Sequence, residues 1–422
     1  MKISKYNITK EYNDKVLVYN SFSKSCIILE KDSDISCFNN IESFDKLTKN
    51  EKELLKKNGF VIDDNRNELS EIKYAYQQNF FKSDSLTIAL VPTLTCNFAC
   101  PYCFEKNLNC GKENIKEYFK SLKAYAVKNF KKYRNIQLSL FGGEPLIYID
   151  ECINFLKWVK TDSEKNRYNY ITTITTNGSL LTENILEQLV NFNLKTLQIT
   201  IDSERNIHDK NRIFKNGKPS FDLLIDKCNM VAKLIKEESK FKFIIRINLN
   251  NTNQSGVADT LNSINMENRE KISLLFRAVY NTEQYKKSNT NNVNDLKSYY
   301  DLGTKMGFKI LNEKYNFQTC EACGDKKFFY LMPDLSLWKC INDLSYKKCC
   351  IGTMKSDGNI KLNSTNVVNW YNNCMSAFEN EKCLNCKMLP DCFGGCPLYK
   401  CKNNKNKCRT FDMSCLPSFY SE

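Results

Sequence analysis

Apolar and polar segments follow one another along the middle of the chain in a strand–helix pattern. Six short apolar runs predict buried strands: LTIALVP, IQLSLF, YITTITT, LKTLQITI, FKFIIRINL and ISLLFRAVY. Amphipathic stretches predict helices at 113–132, 149–160, 182–192, 221–237 and 293–307. Alternating strands and helices are typical of parallel βαβ units. We therefore expect an α/β fold with a partial (β/α)6 TIM-type barrel over residues 85–310, whose chemistry lies at the C-terminal strand ends.

The flanking segments follow other patterns. Residues 1–80 hold two short strands, KVLVYN and SCIILE, then a helix ending near Asn58-Gly59 and a further strand in FVIDD. This order predicts a small winged-helix-like α+β domain. After residue 311 the periodicity fades, so residues 311–422 are expected to form a Cys-rich domain that depends on metal crosslinks for stability.

Cysteine usage is unusual in this chain. It has 21 cysteines, thirteen of them after residue 319, and a single histidine, His208. The N-terminus lacks a secretory h-region and no apolar run could span a membrane, so we expect a cytoplasmic protein. Disulfides are disfavoured there, which favours metal binding or redox chemistry. One histidine excludes multi-His zinc or non-haem iron sites within one chain.

The formal net charge is +14, from 62 basic and 48 acidic residues. Such a charge can simply maintain solubility, or it can attract an acidic peptide, nucleic acid or an anionic membrane. Because no RNA-binding motif and no membrane span are evident, we expect neither nucleic acid nor a membrane as a partner.

The segment TCNFACPYCFE places Cys96, Cys100 and Cys103 in one loop after the first barrel strand. Three thiolates can hold three irons of a cubane cluster and leave the fourth iron without a protein ligand. A zinc site with a further ligand, or reactive free thiols, are the alternatives.

Further motifs follow the next strands in order: FGGEP, TTNG, TIDS and IIRIN. Together with the CX3CX2C loop, over about residues 85–310, they resemble the radical S-adenosylmethionine (SAM) superfamily. The resemblance implies a [4Fe–4S] cluster on the three cysteines. It also implies SAM contacts by Tyr102, Gly142, Gly143, Glu144, Pro145, Thr176, Asn177, Thr200, Asp202, Arg246 and Asn248. A surface ion pair is the alternative role for Arg246.

The loop after the fourth strand differs from the family pattern. Ser203 and Glu204 stand where related enzymes usually have glycine and proline, which puts the loop shape in question. His208, Asp209 and Arg212 follow in IHDKNR; we interpret them as structural, with proton handling by His208 as the alternative.

The chemistry that the resemblance implies is specific. SAM binds the open iron, one electron cleaves a sulfur–carbon bond, and a 5′-deoxyadenosyl radical abstracts a substrate hydrogen. The cofactor carries this chemistry, while the protein positions it and excludes water.

A second cysteine group has the spacing CX2CX5CX3C at Cys383, Cys386, Cys392 and Cys396. It resembles the SPASM extension, which binds two auxiliary [4Fe–4S] clusters. The family arrangement assigns one cluster to Cys320, Cys323, Cys340 and Cys396. It assigns the other to Cys383, Cys386, Cys392 and a late cysteine, for which we choose Cys415 over Cys408. A four-thiolate zinc site is the alternative, and Leu335 stands where the family usually has a turn glycine.

These resemblances imply a substrate class. SPASM-type enzymes mostly modify peptides, and residues 1–80 resemble a domain that binds the leader of a ribosomally made precursor peptide. We expect a peptide maturase that forms a thioether or carbon–carbon crosslink, with flavodoxin or ferredoxin as electron donor. The alternatives are a sulfatase-maturing enzyme, an iron–sulfur scaffold, a nucleic-acid-modifying enzyme, and an N-terminal domain that only caps the barrel.

Overall fold

A computed structural model describes residues 1–12, 14–81, 84–105, 113–236, 239–249, 256–278, 296–311, 327–342, 344 and 346–403. The described residues belong to two compact units. The first combines residues up to 81 with those from 368 onward, and the second comprises residues 84–311 and 327–367. The division into three domains stays a prediction.

The N-terminal part of the first unit contains eight described strands and α-helices, together with a 3-10 turn at Ser36–Phe38. The strands and helices are β1 (Lys2–Ile3), β2 (Asn7–Tyr12), β3 (Lys15–Asn20), β4 (Cys26–Glu30), α1 (Ile41–Asp45), α2 (Lys49–Lys57), β5 (Val61–Ile62) and α3 (Glu68–Phe81). Strands β2, β3 and β4 form an antiparallel sheet in that order, and β1 pairs with β5. The predicted strand pair and the helix end at Asn58-Gly59 are confirmed, whereas β2 and α3 were not predicted.

Local chemistry explains the bounds of α2. Thr48 and Glu51 form a capping box at its start, and Lys56 and Lys57 lie in its last turn. Gly59 follows with φ 75°, a conformation that suits glycine.

The second unit is built on parallel strands alternating with helices. Its elements are β6 (Ser85–Leu90), α4 (Ile115–Asn129), β7 (Asn135–Leu140), α5 (Ile149–Asn166), β8 (Asn169–Thr176), α6 (Glu183–Asn191), β9 (Leu194–Ile201), α7 (Arg205–Asn211), α8 (Phe221–Leu234), β10 (Lys242–Leu249), α9 (Val257–Asn262), β11 (Ile272–Ala278), α10 (Leu296–Lys305) and β12 (Lys309–Ile310). All six predicted strands and all five predicted helices are present, with shifted ends. The predicted partial barrel is confirmed, and β12 adds a short parallel strand next to β11.

The sheet continues beyond β6 at its other edge. Strand β13 (Phe328–Leu331) pairs parallel with β6, and β14 (Ser336–Trp338), β15 (Cys350–Met354) and β16 (Ile360–Leu362) follow as antiparallel neighbours. The sequence did not predict these strands, because runs of three to five residues carry little periodicity.

The two faces of the sheet differ in polarity. Along β7, Ile136, Leu138 and Leu140 are buried, while the alternate residues Gln137 and Ser139 are only half-buried. Strand β8 repeats this alternation, and Thr173 donates a hydrogen bond to Ser139 across the polar face at 2.9 Å. A closed barrel fills its interior with branched apolar side chains. The polar face here suits a ligand-binding cavity.

The first unit is completed by short helices. They are α11 (Ser364–Met375, which begins in the second unit), α12 (Glu381–Leu384), α13 (Leu389–Cys392) and α14 (Pro397–Asn403). Within this unit, the ring of Tyr76 in α3 packs on that of Phe393 with centroids 4.4 Å apart, and its hydroxyl donates a hydrogen bond to the Cys374 carbonyl. None of the described helices is long and apolar enough to cross a bilayer.

Candidate active site

The three cysteines of the first motif lie in the loop that follows β6. All three are half-buried. The Cys103 amide donates to the Cys100 carbonyl at 3.2 Å, and the Phe98 amide donates to the Cys96 sulfur at 3.4 Å. The loop is also braced from outside, because the Ala99 amide donates to the Ile213 carbonyl at 2.8 Å.

The thiols of this loop influence one another. Burial raises the pKa of Cys100 to about 11 and that of Cys103 to about 12, and neighbouring cysteines add smaller contributions in the same direction. Within the described ranges, no three Cys, His, Asp or Glu side chains converge on a single metal ion. A cubane cluster has a different geometry, since each thiolate binds a different iron.

The GGEP loop lies directly against the cysteine loop. A Cβ atom on Gly143 would lie 2.3 Å from the Thr95 carbonyl oxygen, and one on Gly142 would lie 2.6 Å from that of Thr93. Gly142 also has φ 113°, which side chains disfavour. Both glycines are therefore required for the two loops to approach this closely.

Glu144 connects the GGEP loop to the TTNG loop. Its buried carboxylate accepts hydrogen bonds from the Leu146 amide at 2.9 Å, the Thr176 hydroxyl at 2.8 Å and the Asn177 amide at 2.7 Å. Burial raises the pKa of Glu144, and these donors oppose that rise. Pro145 is buried at the start of the short turn that follows.

The TTNG loop in turn reaches the cysteine loop. The Asn177 side chain donates to Asn97 Oδ1 at 2.7 Å and lies 3.6 Å from the Cys96 sulfur. The sequence-predicted residues of three strand ends are thus joined in one hydrogen-bonded network.

Tyr102 and Asp202 meet in a buried polar cluster with Arg212. The Tyr102 hydroxyl donates to Asp202 Oδ1 at 2.8 Å, and Arg212 Nη1 donates to the Tyr102 hydroxyl at 3.1 Å. Burial opposes the charge of Arg212, but Tyr102, Cys100 and Asp202 outweigh it and raise the arginine pKa. The sequence placed Arg212 outside the site; its position in IHDKNR, just after the fourth strand end, was the available signal.

Thr200, Arg246 and Asn248 lie on adjacent strands. Arg246 is paired in register with Thr200, and its Nε donates to Asn248 Oδ1 at 2.9 Å. Burial, followed by the charge of Arg277, lowers the pKa of Arg246. No carboxylate of the described chain forms an ion pair with Arg246, so the alternative role as a surface ion pair is not observed.

His208 forms part of a buried structural network. Its Nδ1 accepts from the Asp202 amide at 3.2 Å, and Nε2 lies 3.1 Å from the Ser220 hydroxyl. Burial, with a smaller contribution from Arg212, lowers its pKa well below the ordinary value. Both ring nitrogens are therefore engaged in a neutral imidazole, which supports the structural interpretation.

At two places where the sequence departs from the family pattern, Glu204 and Leu335, the structure shows the backbone conformation. Glu204 has φ −50°, a value that proline also adopts, so the loop keeps a proline-compatible shape. Leu335 has φ 64°, so the turn keeps a glycine-like conformation despite its side chain.

The predicted ligands of the auxiliary clusters are only partly described. Cys320, Cys323, Cys408 and Cys415 lie outside the described residues. Cys340 follows β14 in the second unit, while Cys383, Cys386, Cys392 and Cys396 lie in the short helices and turns of the first. The Cys386 sulfur is exposed and accepts from the Met388 amide at 3.4 Å, in the same i+2 arrangement as Cys96 with Phe98.

The first cysteine loop lies within a segment that matches a known protein family. Residues 90–264 match the radical SAM superfamily. The second unit contains a radical SAM domain. Members of this superfamily use SAM and a [4Fe–4S] cluster.

Individual relatives extend the similarity beyond this domain. The chain is 23% identical to the radical SAM cyclopropyl synthase TigE of Paramaledivibacter caminithermalis, over 91% of this chain and 83% of that protein. It is 28% identical to a cysteine-type anaerobic sulfatase-maturating enzyme of Clostridium novyi, over 35% of this chain and 41% of that protein.

Solved structures share the fold. Native anSMEcpe with bound AdoMet and Kp18Cys peptide has a TM-score of 0.57 at 17% identity, covering 79% of this chain and 95% of that one. Streptococcus suis SuiB bound to S-adenosylmethionine has a TM-score of 0.51 at 18% identity, covering 98% of this chain and all of that one.

The radical SAM domain fits its cofactor on three counts. The cysteine loop offers three thiols, Gly142 and Gly143 form a cradle that a Cβ would fill, and Arg246 is a half-buried cation without a carboxylate among the described residues. The three thiols suit iron, the glycine cradle lets a ligand approach the backbone closely, and the Arg246 guanidinium suits a carboxylate.

Proposed function

We propose that this protein is a peptide maturase that forms a thioether or carbon–carbon crosslink in a ribosomally made precursor peptide. The observation that carries the proposal is the network joining Cys96, Glu144 and Asn177 at the strand ends of a radical SAM domain. A polar sheet face adjoins this network, and among the described strands β4 is an open edge of the N-terminal sheet.

Each predicted site residue has a distinct task in this proposal. Cys96, Cys100 and Cys103 hold the cluster, which together with bound SAM supplies one-electron chemistry. Gly142 and Gly143 let the backbone approach the amino group of SAM, and Glu144 fixes that loop.

A second set of residues holds the rest of SAM. Arg246 binds the carboxylate, and Asn248 orients its guanidinium. Thr176, Asn177 and Thr200 line the ribose and methionyl part. Tyr102 and Asp202, held by Arg212, form the wall next to the cysteine loop.

Two auxiliary [4Fe–4S] clusters complete the redox chain of the proposal. One uses Cys320, Cys323, Cys340 and Cys396; the other uses Cys383, Cys386, Cys392 and Cys415. An auxiliary cluster can ligate a substrate thiol or accept the electron that crosslink formation releases. Flavodoxin or ferredoxin supplies electrons to the first cluster.

The leader of the precursor binds the N-terminal module as an added strand. Strand β4 pairs with β3 on one side only among the described strands, and its Ile28 side chain is 42% exposed. An open edge with apolar side chains favours strand addition. The structure of SuiB bound to its precursor peptide SuiA, similar in fold at a TM-score of 0.50, makes a peptide the natural substrate class. The net charge of +14 favours an acidic leader.

Replacing Ile28 by Glu tests leader binding at this edge. Burying an isoleucine side chain contributes about 1.5–3 kcal/mol, so Ile28→Glu should weaken peptide binding roughly tenfold or more, as measured by fluorescence anisotropy. Leu54→Glu is the matched control, because Leu54 is 54% exposed on α2 of the same module. Equal weakening by both variants would exclude β4 as the docking edge.

Co-expression with a candidate precursor peptide, such as a short Cys-rich peptide if one is encoded next to this gene, tests the activity. The proposal predicts that the peptide loses two hydrogen atoms per crosslink, measured by mass spectrometry, and that Cys96→Ala abolishes the change. A peptide of unchanged mass, with intact clusters and SAM cleavage, would contradict the crosslinking proposal.

A sulfatase-maturing activity is the second candidate. It is favoured by the 28% identity to the Clostridium novyi enzyme over 35% of this chain. Conversion of a sulfatase-derived cysteine peptide to formylglycine, with no change in the precursor peptide, would establish this candidate instead. The N-terminal module argues against it, since sulfatase-maturing enzymes lack that module.

A further inference from the structure

The hydroxyl of Tyr6 is a buried polar group without a partner. Its side chain is fully buried, and none of the described residues forms a hydrogen bond with the hydroxyl oxygen. Buried hydroxyls nearly always have a partner, and an absent ion is one of the recognised reasons for an exception.

Tyr6 lies against the CX2C turn of the second cysteine group. Its ring belongs to the apolar cluster of the first unit that also contains Leu389 and contacts Cys383. Lys5, its neighbour, donates to the Leu384 carbonyl at 2.9 Å and to Asn385 Oδ1 at 3.3 Å. These two residues are the ones between Cys383 and Cys386.

Contacts on the other side of Tyr6 hold the rest of the turn. The Tyr6 carbonyl accepts from the Ser21 amide at 3.1 Å, and the Ser21 hydroxyl donates to the Lys387 carbonyl at 2.5 Å. The pKa of Tyr6 reflects the same proximity: burial, then Glu68 and then the Cys386 thiol raise it to about 12. Lys5 and Ser21 thus hold residues 384–387 by hydrogen bonds, and the Tyr6 side chain belongs to the apolar cluster against which Cys383 packs.

The Tyr6 hydroxyl lacks an acceptor, and a sulfur of a cluster bound at Cys383 and Cys386 would provide one. A phenol is protonated at neutral pH and donates one hydrogen bond. Hydrogen bonds to the sulfurs of an iron–sulfur cluster stabilise its reduced, more negative state and so tune its reduction potential. We infer that Tyr6 donates a hydrogen bond to a sulfur of the auxiliary cluster at Cys383 and Cys386, and thereby makes this cluster easier to reduce. The inference rests on the auxiliary cluster of the proposed function.

The consequence is a direct chemical link between two parts of the chain. Tyr6 lies in the N-terminal module, 377 positions before Cys383. The module proposed to bind the peptide would then also set the redox poise of an auxiliary cluster. Tyr6 acts on the cluster through this hydrogen bond and does not itself ligate iron.

Tyr6→Phe isolates the hydroxyl. The substitution is made in the full-length protein with Cys96, Cys100 and Cys103 changed to Ala, so that only auxiliary clusters contribute to the spectra. At a fixed potential near the midpoint, we expect the ratio of reduced to oxidised cluster to fall about tenfold, a shift of about 59 mV for one electron. The readout is a redox titration monitored by electron paramagnetic resonance.

Tyr170→Phe is the matched control. Tyr170 is also buried, and its hydroxyl also has no partner among the described residues. It is the second residue of β8 in the second unit, so its substitution should leave the titration unchanged. An equal shift in both variants would overturn the inference.

A second measurement detects the proton itself. Electron–nuclear double resonance of the reduced cluster in H₂O and D₂O should show one exchangeable proton coupling fewer in Tyr6→Phe than in the Tyr6 protein. The Met388 amide, which donates to the Cys386 sulfur, should remain visible in both.

The outcomes separate this inference from the function on which it rests. If the clusters assemble but Tyr6→Phe changes neither the potential nor the proton couplings, the inference is wrong and the proposed maturase is untouched. If iron analysis of the Tyr6 protein shows no auxiliary cluster, both the auxiliary ligand assignment and the inference fail.

Discussion

At the residue scale, Leu335 occupies a backbone conformation that suits glycine. Its φ of 64° lies in the left-handed region, which costs a residue with a Cβ about 1–2 kcal/mol. The turn is nevertheless fixed, because the Leu335 amide donates to the Met332 carbonyl and its carbonyl accepts from Met354, both at 2.9 Å. Hydrogen bonding on both sides of the peptide holds the strained turn before Cys340.

Replacing Leu335 by Gly and by Ala measures this strain. Both variants remove the side-chain contacts, but only glycine relieves the left-handed conformation. We expect Leu335→Gly to be more stable than Leu335→Ala by about 1 kcal/mol in urea unfolding. Equal stability of the two variants would show that the turn is not strained.

Some residues of the site could be predicted from the sequence and others could not. Cys96, Glu144 and Asn177 were predicted because motif spacing marks them, and the structure brings them together. Arg212 and Tyr6 were not, since their roles depend on side chains far away in sequence. Tyr6 carries no local pattern at all; its meaning arises only when the N-terminal strands pack against residues 383–387.

At the scale of elements, close packing of the GGEP loop on the cysteine loop positions the radical SAM site. The Gly143 amide donates to the Thr93 carbonyl at 3.1 Å, and the Glu144 amide donates to that of Thr95 at 2.9 Å. These bonds align the two loops like neighbouring strands. Any side chain at position 143 would separate them.

Gly143→Ala should therefore displace the cysteine loop. The added Cβ would lie 2.3 Å from one backbone carbonyl oxygen and 2.5 Å from another, and neither can move without the loop. We expect SAM affinity of the reconstituted protein, measured by equilibrium dialysis, to fall at least tenfold, about 1.4 kcal/mol.

Gly217→Ala provides the control for Gly143→Ala. Gly217 has φ 80°, but no atom lies within 4 Å of its added Cβ. This variant should cost some stability and leave SAM affinity unchanged. Unchanged affinity in Gly143→Ala would mean that the close approach of the loops is unnecessary for binding.

The elements also differ in how far the sequence predicted them. Strands β6 to β11 were predicted because each is a long apolar run between helices. Helix α3 was missed because its aromatic residues do not repeat at the regular helical spacing that marks an apolar face. They are placed by distant contacts instead: Tyr76 packs on Phe393, and Phe80 on Tyr371. Strands β13 to β16 were missed because they are only three to five residues long, and the parallel partner of β13, β6, lies more than 200 residues earlier.

At the scale of the whole molecule, the N-terminal module and the second cysteine group fold as one unit. Asp391, fully buried beside Cys392, accepts a hydrogen bond from Tyr19 at 3.0 Å and forms an ion pair with Lys24. Removing the partners of a buried charge typically costs about 3–5 kcal/mol. The Cys-rich helices therefore depend on strands from the other end of the chain.

A chain that begins at residue 84 should lose its auxiliary clusters. Deleting the module removes Tyr19 and Lys24 and exposes the aromatic surface under Tyr76. We expect iron analysis after reconstitution to give the content of a single cluster. Thr48→Ala, which removes only the helix cap of α2, should keep the full iron content. Full iron in the truncated chain would contradict the dependence.

The central claim is that the loop of Cys96, Cys100 and Cys103 holds a cluster with one iron open to SAM. The most direct measurement is the yield of 5′-deoxyadenosine from anaerobically reconstituted protein, SAM and a strong reductant. The unchanged protein should form 5′-deoxyadenosine, and the variant with all three cysteines changed to Ala should form none. Undiminished cleavage in the triple variant would contradict the account.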